Sequence, residues 1–525
     1  MVSGRRGSRS NGVWSQQGNK LVGSGGVAGP NGIGQGFSVA LSADGNTAIV
    51  GGPGDNADPN TGIGAGAVWV FTRSGGVWTQ QGPKLVGNDA AGNAGQGSSV
   101  ALSADGSTAI VGGPSDNGSA GAVWVFTRSG GVWTQQGPKL VGTGAVGNAE
   151  QGKSVTLSGD GNTAIVGGPN DNCGSGCIAV AASAAWVFTR SGGVWTQQGP
   201  KLVGNDAAGN AGQGGSVSLS ADGNTVIMGG PGDGPGGPMG RGGAAWVFTR
   251  CDGGWSQQGH KLVGTNAAGP GASQGNSVAL SSDGNTAIVG GPCDGTLNCF
   301  TPAAGAAWVF TRSGGVWTQQ GPKLVGTGAV GNASQGYSVA LSGDGSTAIV
   351  GGLGDNGVGA AWVFVSGTAT HRKATHDFNG DGMSDILWWN GVSGQVVLWF
   401  MNGVCVIGGG SPGSAPPPWT IAGTGDFNGD GYTDILWYNT ATGEVVLWFM
   451  NGASVIGGGS PGGALSPWTI AQTGDYNGDG FSDLLWYNTA TGQAAMWFLN
   501  GTSVGGGWLG SMAASPWQIQ GMNAD

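Results

Sequence analysis

Residues 96–114 read QGSSVALSADGSTAIVGGP, and residues 121–142 read GAVWVFTRSGGVWTQQGPKLVG. Runs rich in Val, Ile, Thr, Trp and Phe alternate here with Gly, Asp, Ser and Pro, which is the pattern of short strands and turns. SVALS and TAIVGG flank Asp-Gly, a tight-hairpin signal because Gly accepts φ > 0. VWVFTR and VWTQQGPKL flank Ser-Gly-Gly, a second hairpin. The stretch predicts four antiparallel strands.

The same unit recurs six times between Trp14 and Phe364. Its central aspartates, Asp44, Asp105, Asp160, Asp222, Asp283 and Asp344, are spaced by 61, 55, 62, 61 and 61 residues. That period is longer than any helical repeat, and the unit contains no helical segment. Six four-stranded units in succession predict a six-bladed β-propeller over residues 13–365, each blade hiding its apolar faces against its neighbours. The first recognisable element, Val13 to Val22, matches the fourth strand of a blade, and the sixth repeat ends at AWVFV without that strand. An N-terminal strand completing the last blade would close the ring and remove a free sheet edge.

Composition agrees with a repeated β-fold. Gly (118) and Pro (22) make up about 27% of 525 residues, a level that without periodicity reads as disorder, but hydrophobic residues reach 38% and include 23 Trp. The net charge of −10 disfavours a nucleic-acid partner and an anionic membrane surface, both of which need clustered basic side chains. No run of 18 apolar residues occurs, so no membrane insertion is expected. Residues 1–12, MVSGRRGSRSNG, read as a flexible tail with the charges of a signal n-region but no apolar stretch after them, so export is expected to be signalled elsewhere or from a missing N-terminus. Cys173 with Cys177 and Cys293 with Cys299 each share one loop and favour local disulfides over a zinc site, while Cys251 and Cys405 stand alone. Disulfides fit an oxidising compartment.

After a linker over 366–376 the repeat shortens to about 49 residues. Three copies begin at Asp377, Asp426 and Asp475, and the chain stops about where a fourth would start. Three blades are too few for a closed ring. Residues 377–525 are therefore expected to form an open arc, part of an assembly, or a truncated domain.

QGFSVALSADGNTAIVGGP followed by GAVWVF resembles the FG-GAP repeat of integrin α-chain propellers, and DFNGDGYTDILW resembles the calcium-bearing FG-GAP/VCBS repeats of secreted bacterial proteins. Together the two resemblances span nearly the whole chain. They imply a propeller fold and an extracellular setting, with adhesion proteins, lectins, lyases and plain scaffolds among the functions that such folds carry. In the family the first hairpin of a blade carries a calcium loop, whereas the six long repeats keep only Ser-x-Asp-Gly-Asn/Ser there.

The segment D-x-N-x-D-G-x-x-D occurs three times: Asp377, Asn379, Asp381 and Asp385; Asp426, Asn428, Asp430 and Asp434; Asp475, Asn477, Asp479 and Asp483. Oxygens at positions 1, 3 and 5 project from a turning backbone, Gly382, Gly431 and Gly480 permit the turn, and the aspartate at position 9 closes the cage. Hard oxygen donors in that number suit Ca²⁺. Strand flanks and the missing glutamate at position 12 exclude an EF-hand. The alternative is three Asx-turns that only shape hairpins.

Two further groups are candidates for ligand contact. Asp55, Asp116 and Asp171, each followed by Asn, recur after GGP, with Asp233, Asp294 and Asp355 at the same place; the alternative is turn capping. Trp78, Trp133, Trp195, Trp255 and Trp317, with Trp14, lie on the outermost strand, where exposed indoles beside Asn, Gln and Asp could stack on a pyranose. For these the alternative is packing between blades. Trp69, Trp124, Trp186, Trp246, Trp308 and Trp362 alternate with Phe in mid-strand and read as core.

Catalysis finds little support. Glu150 and Glu444 are the only glutamates, and no GxSxG, HExxH or P-loop segment occurs. The expected function is an extracellular, non-catalytic, calcium-binding adhesion or carbohydrate-binding module whose partner is a glycan or a cell-surface or matrix protein. The alternatives are a scaffold propeller without a small ligand and, more remotely, a polysaccharide lyase or hydrolase.

Overall fold

A computed structural model describes residues 17–29, 32–57, 64–172, 183–234, 242–251, 253–269, 271–295, 303–366, 376–380, 382–402 and 405–511. Among these residues the chain is all-β and builds nine antiparallel sheets in sequence order, a propeller-like succession of blades. The second is representative. Ser99–Leu102 pairs with Thr108–Gly113, which pairs with Ala122–Ser129, which pairs with Val132–Gln135. Val111 faces Trp124 across the second and third strands, and Arg128 faces Trp133 across the third and fourth. Among the described residues no helix is long and apolar enough to cross a membrane.

Burial follows from the alternation. Ile49, Val68 and Val70 of the first sheet pack against Ala109, Val111, Trp124 and Phe126 of the second, and the same joint recurs along the array. Trp69, Trp124, Trp186, Trp246 and Trp308 are fully buried, as the strand pattern predicts. The glycine of each KLVG segment crosses the next sheet's tryptophan so closely that a Cβ on Gly142 would overlap the Trp186 ring.

The ring closure expected of the N-terminal strand rests on residues 13–16, the counterpart of Val77–Gln80. Residues 13–16 lie outside the described part, and residues 17–22 form no strand. Gln17 instead accepts hydrogen bonds from Trp78 and Arg73 of the first sheet. The sixth sheet has three strands, Gln335–Leu341, Thr347–Gly352 and Ala360–Val365. Ile349 is 44% and Val363 64% exposed, although the equivalent Ile49, Ile110, Ile165, Ile227 and Ile288 are at 0%. At the other end Val39 and Leu41 of the first sheet are exposed as well. Among the described residues the two terminal faces are apolar and do not cover one another. Trp362 is accordingly half-buried rather than core.

The shorter repeats are also four-stranded, in a different phase from the sequence unit. Trp419–Gly425, Asp434–Asn439, Glu444–Asn451 and Ser454–Gly463 make one sheet. Trp468–Gly474, Asp483–Asn488, Gln493–Asn500 and Ser503–Ser511 make the next. Each of these sheets takes its first strand from the residues before the acidic loop. The sheet of Ile386–Trp389, Gln395–Asn402 and Cys405–Ser414 therefore has three strands among the described residues.

Cys251 and Cys405, which stand alone in sequence, form a disulfide that joins the fourth sheet of the long repeats to the first sheet of the short ones. Cys293 is also disulfide-bonded, and Cys173, Cys177 and Cys299 lie outside the described residues.

Candidate functional site

The aspartates after GGP are structural ties. Asp116 is buried; its Oδ1 accepts the Ala91 amide at 2.7 Å and its Oδ2 pairs with Lys139 at 2.6 Å. Asp55 with Lys84, Asp171 with Lys201, Asp233 with Lys261 and Asp294 with Lys323 repeat the arrangement. Each carboxylate fixes the loop entering its sheet to the lysine leaving it. Asp355 keeps the amide contact, to Val330, at the end of the array where no further PKLVG follows. The asparagine after the aspartate has a conformational cause: Asn56, Asn117, Asn172 and Asn356 all have φ near +50°, a region in which Asn is among the few tolerated residues. Short helical turns, Asp116–Ser119 and Asp355–Gly357, form at this loop where only a turn is expected from sequence.

The outer-strand tryptophans form a second repeated tie. Trp195 Nε1 donates to Gln136 Oε1 of the preceding repeat at 3.0 Å, and the Arg190 guanidinium lies 5.4 Å from the indole centroid. Arg190 also donates to Gln136 and to Thr108, both at 3.2 Å. Trp78, Trp133, Trp255 and Trp317 repeat the clasp with Arg73, Arg128, Arg250 and Arg312. One face of each indole and its only donor are thus committed to the seam between adjacent sheets, the packing alternative to a sugar platform.

In the hairpins of the long repeats the aspartate is satisfied locally. Asp44 accepts from the Ser42 hydroxyl and from the backbone and side chain of Asn46, and these bonds, the serine's first, hold its pKa down at about 2. Asp105 and Asp160 are also lowered, the Ser103 and Ser158 hydroxyls leading the contributions that outweigh burial.

The acidic loops of the short repeats differ. Asp426 accepts the amides of Gly429, Asp430 and Gly431, and Asp430 accepts the Tyr432 amide and the Asn428 side chain. Asp434, fully buried, accepts Met450 N at 2.8 Å and Phe427 N at 2.9 Å, which ties the loop to the third strand of its sheet. Asp475, Asn477, Asp479 and Asp483 repeat this geometry. In the first loop Asp377 and Asp385 do likewise, Asn379 lies between them, and Asp381 lies outside the described residues.

Burial, with Asp430 and Asp426 close by, pushes Asp434 up to about 7. Burial, with Asp377 close by, pushes Asp385 up to about 6. Asp483 is raised for the same reasons. No lysine or arginine occurs between residue 374 and the C-terminus, so the short repeats carry no such cation of their own. Among the described residues no three acidic, His or Cys side chains converge as a finished metal cage. The fit to Ca²⁺ lies in the donor chemistry, since carboxylate and side-chain amide oxygens are the hard donors that Ca²⁺ takes.

Sequence reasoning missed a cleft in the last short repeat. A cavity of about 430 Å³ is lined by Trp468, Trp486, Trp497 and Trp508, one from each strand of the sheet, with Ala495 and Gly506 among them. The signal that could have found it is a double departure from the repeat. Ala495 stands where Val397 and Val446 stand, and Trp508 falls where the second copy has Ser460 and Pro461.

A family described as FG-GAP-like repeat matches residues 377–437 and 426–486. Among solved structures the chain is similar to a proposed 6-phosphogluconolactonase from Bacteroides uniformis ATCC 8492, at 13% identity and a TM-score of 0.42, covering 64% of this chain and 82% of that one. A second proposed 6-phosphogluconolactonase, from Bacteroides fragilis NCTC 9343, also shows 13% identity and a TM-score of 0.42, covering 64% of this chain and 81% of its own. No curated protein sequence matches the chain.

Proposed function

We propose that this chain, in which residues 377–486 are FG-GAP-like repeats, is a non-catalytic adhesion or carbohydrate-binding protein that works outside the cell, its short repeats ordered by Ca²⁺. The observation that carries this reading is the acidic loop repeated three times in a stretch, residues 377–525, without lysine or arginine. Burial, with neighbouring carboxylates adding to it, raises Asp385 and Asp434, and a divalent cation is the group that would relieve them. Asp377, Asn379, Asp381 and Asp385 would hold one ion, Asp426, Asn428, Asp430 and Asp434 the second, and Asp475, Asn477, Asp479 and Asp483 the third. The ion supplies charge neutralisation and loop rigidity. The chain's own amides, from Phe427 and Met450 for Asp434, keep the ninth-position carboxylate in place.

The disulfide between Cys251 and Cys405 supports an oxidising, extracellular setting. The partner is a glycan or a cell-surface or matrix protein, bound through weak contacts that add by multivalency. The scaffold reading retains one supporting observation, namely that the repeated Asp–Lys and Arg–Trp–Gln groups of the long repeats are used to hold sheets together.

A glycan and matrix-protein array probed with and without calcium tests the proposal. Saturable binding that weakens on chelation is expected, together with faster hydrogen exchange in residues 377–511 and little change in residues 17–366. No binding to any member of the array would leave the scaffold reading.

A further inference from the structure

We infer that the four-tryptophan cleft of the last short repeat binds a pyranose unit, an inference that rests on the carbohydrate-binding reading above and gives it a location.

The cleft is built by the strand register. Trp486, Ala495 and Trp508 are consecutive cross-strand partners, so they form one row on one face of the sheet. The alanine between two indoles leaves a slot where valine would fill the space. Trp468 lies beside Trp508 at a centroid distance of 5.4 Å and a tilt of 56°, and Trp486 beside Trp497 at 5.0 Å and 57°. The two pairs thus wall a flat space. Gly505, Gly506 and Gly507 line the cavity from the fourth strand without side chains to fill it. Trp508 is 71% exposed, an unusual position for the largest apolar side chain unless its face has a use.

The polar groups match the apolar walls. Trp486 is 1% exposed and its Nε1 has no hydrogen-bond partner, although a buried indole N–H is normally paired. Among the described residues Ser503–Ser511 is the edge strand of its sheet, and no described strand takes the outer backbone N–H and C=O groups beside the slot. A pyranose meets both demands: its C–H face stacks on indole, and its rim of hydroxyls pairs with an indole N–H and edge-strand carbonyls. A cavity of about 430 Å³ lies within the ordinary range for small ligands. A proline-rich peptide is the competing occupant, since aromatic grooves also bind polyproline II.

The test is a tryptophan-fluorescence titration of the full chain with cellohexaose, maltohexaose, chitohexaose, mannohexaose and decaproline. At least one hexaose should give a saturable change. Trp508→Ala should weaken it about tenfold, as should Ala495→Val, which narrows the slot without removing an aromatic. Trp388→Ala, an exposed indole in the first short repeat, should bind as the parent does, and near-ultraviolet circular dichroism should show every variant folded. A response to decaproline alone, or to none of the five probes, overturns the inference. So does a hexaose response that Trp508→Ala and Ala495→Val leave unchanged; in that case glycan binding on the array still stands, and only the location fails.

Discussion

Replacing Trp195 by alanine separates a packing role from a ligand role for the outer-strand indoles. The change removes the hydrogen bond to Gln136, the stacking of Arg190 and a half-buried ring that packs on the core shared by the second and third sheets. A neutral hydrogen bond contributes about 1 kcal/mol and a partly exposed cation–π pair about 1 kcal/mol. A fully buried tryptophan truncated to alanine costs roughly 3–5 kcal/mol, so the half-buried ring places the whole effect near 3 kcal/mol. Because stability in a repeat array is carried by nearest-neighbour seams, the loss should concentrate at this one. Amides of Val132–Gln135 and Val194–Gln197 should exchange roughly 100-fold faster, since each 1.4 kcal/mol is a factor of ten, and the urea midpoint should fall. Trp195→Phe, which keeps a ring but loses the N–H, should show about a third of the effect. Glycan binding should be unaffected by either variant. Unchanged exchange and midpoint combined with lost glycan binding would refute the seam assignment and restore Trp195 as a sugar platform.

Three further outcomes follow from the described contacts. Cys251→Ser with Cys405→Ser opens a loop of 154 residues, worth about 5 kcal/mol in a chain-entropy treatment; a lower denaturation midpoint under non-reducing conditions is expected, and an unchanged one would show that the cross-link constrains nothing. In calcium-free protein Asp385 and Asp434 hold protons in the folded state that the unfolded chain releases near pH 4, so their contribution is complete below pH 4 and is lost as pH rises through about 6 and about 7; the short repeats should melt higher at pH 5 than at pH 8, and calcium should remove the difference. Gly142→Ala places a methyl inside the Trp186 ring and should lower the melting temperature, with a cost of about 3 kcal/mol or more; an unchanged melting curve would mean that the KLVG segment is free to move off the sheet.

Most strands were legible because alternation and turn chemistry are local: SVALS, Asp-Gly and TAIVGG name a hairpin without outside help. Trp186 read as core because Ala-Trp-Val-Phe alternates. What stayed hidden acts across repeats. Gln136 and Trp195 are 59 residues apart, and the hint was only that every VWTQQG carries its glutamine beside an outer-strand indole. Lys201 recurs in step with Asp171, a correlation that composition cannot show but repeat alignment could have. Cys251 and Cys405 each replace a serine of their own repeat, Ser129 in one case and Ser454 in the other, and nothing local says that two such departures meet. Ring closure is a non-local matter too. The sequence offers matching ends, but whether Ile349 and Val39 come together depends on the curvature accumulated over six sheets.

The Cys251–Cys405 bond also defines a path for tension. A pull applied between the two ends of the chain enters the fourth long-repeat sheet, crosses the sulfur bridge and leaves through the first short-repeat sheet. The 153 residues between the cysteines, which include the fifth and sixth sheets and the strands Gly254–Gln257, Ile386–Trp389 and Gln395–Asn402, carry none of that load. Fully extended they would add about 500 Å of slack, and the bridge keeps that length stored. The cross-link acts as a stop on extension: the chain before Cys251 and after Cys405 bears the force, while the fifth and sixth sheets remain folded.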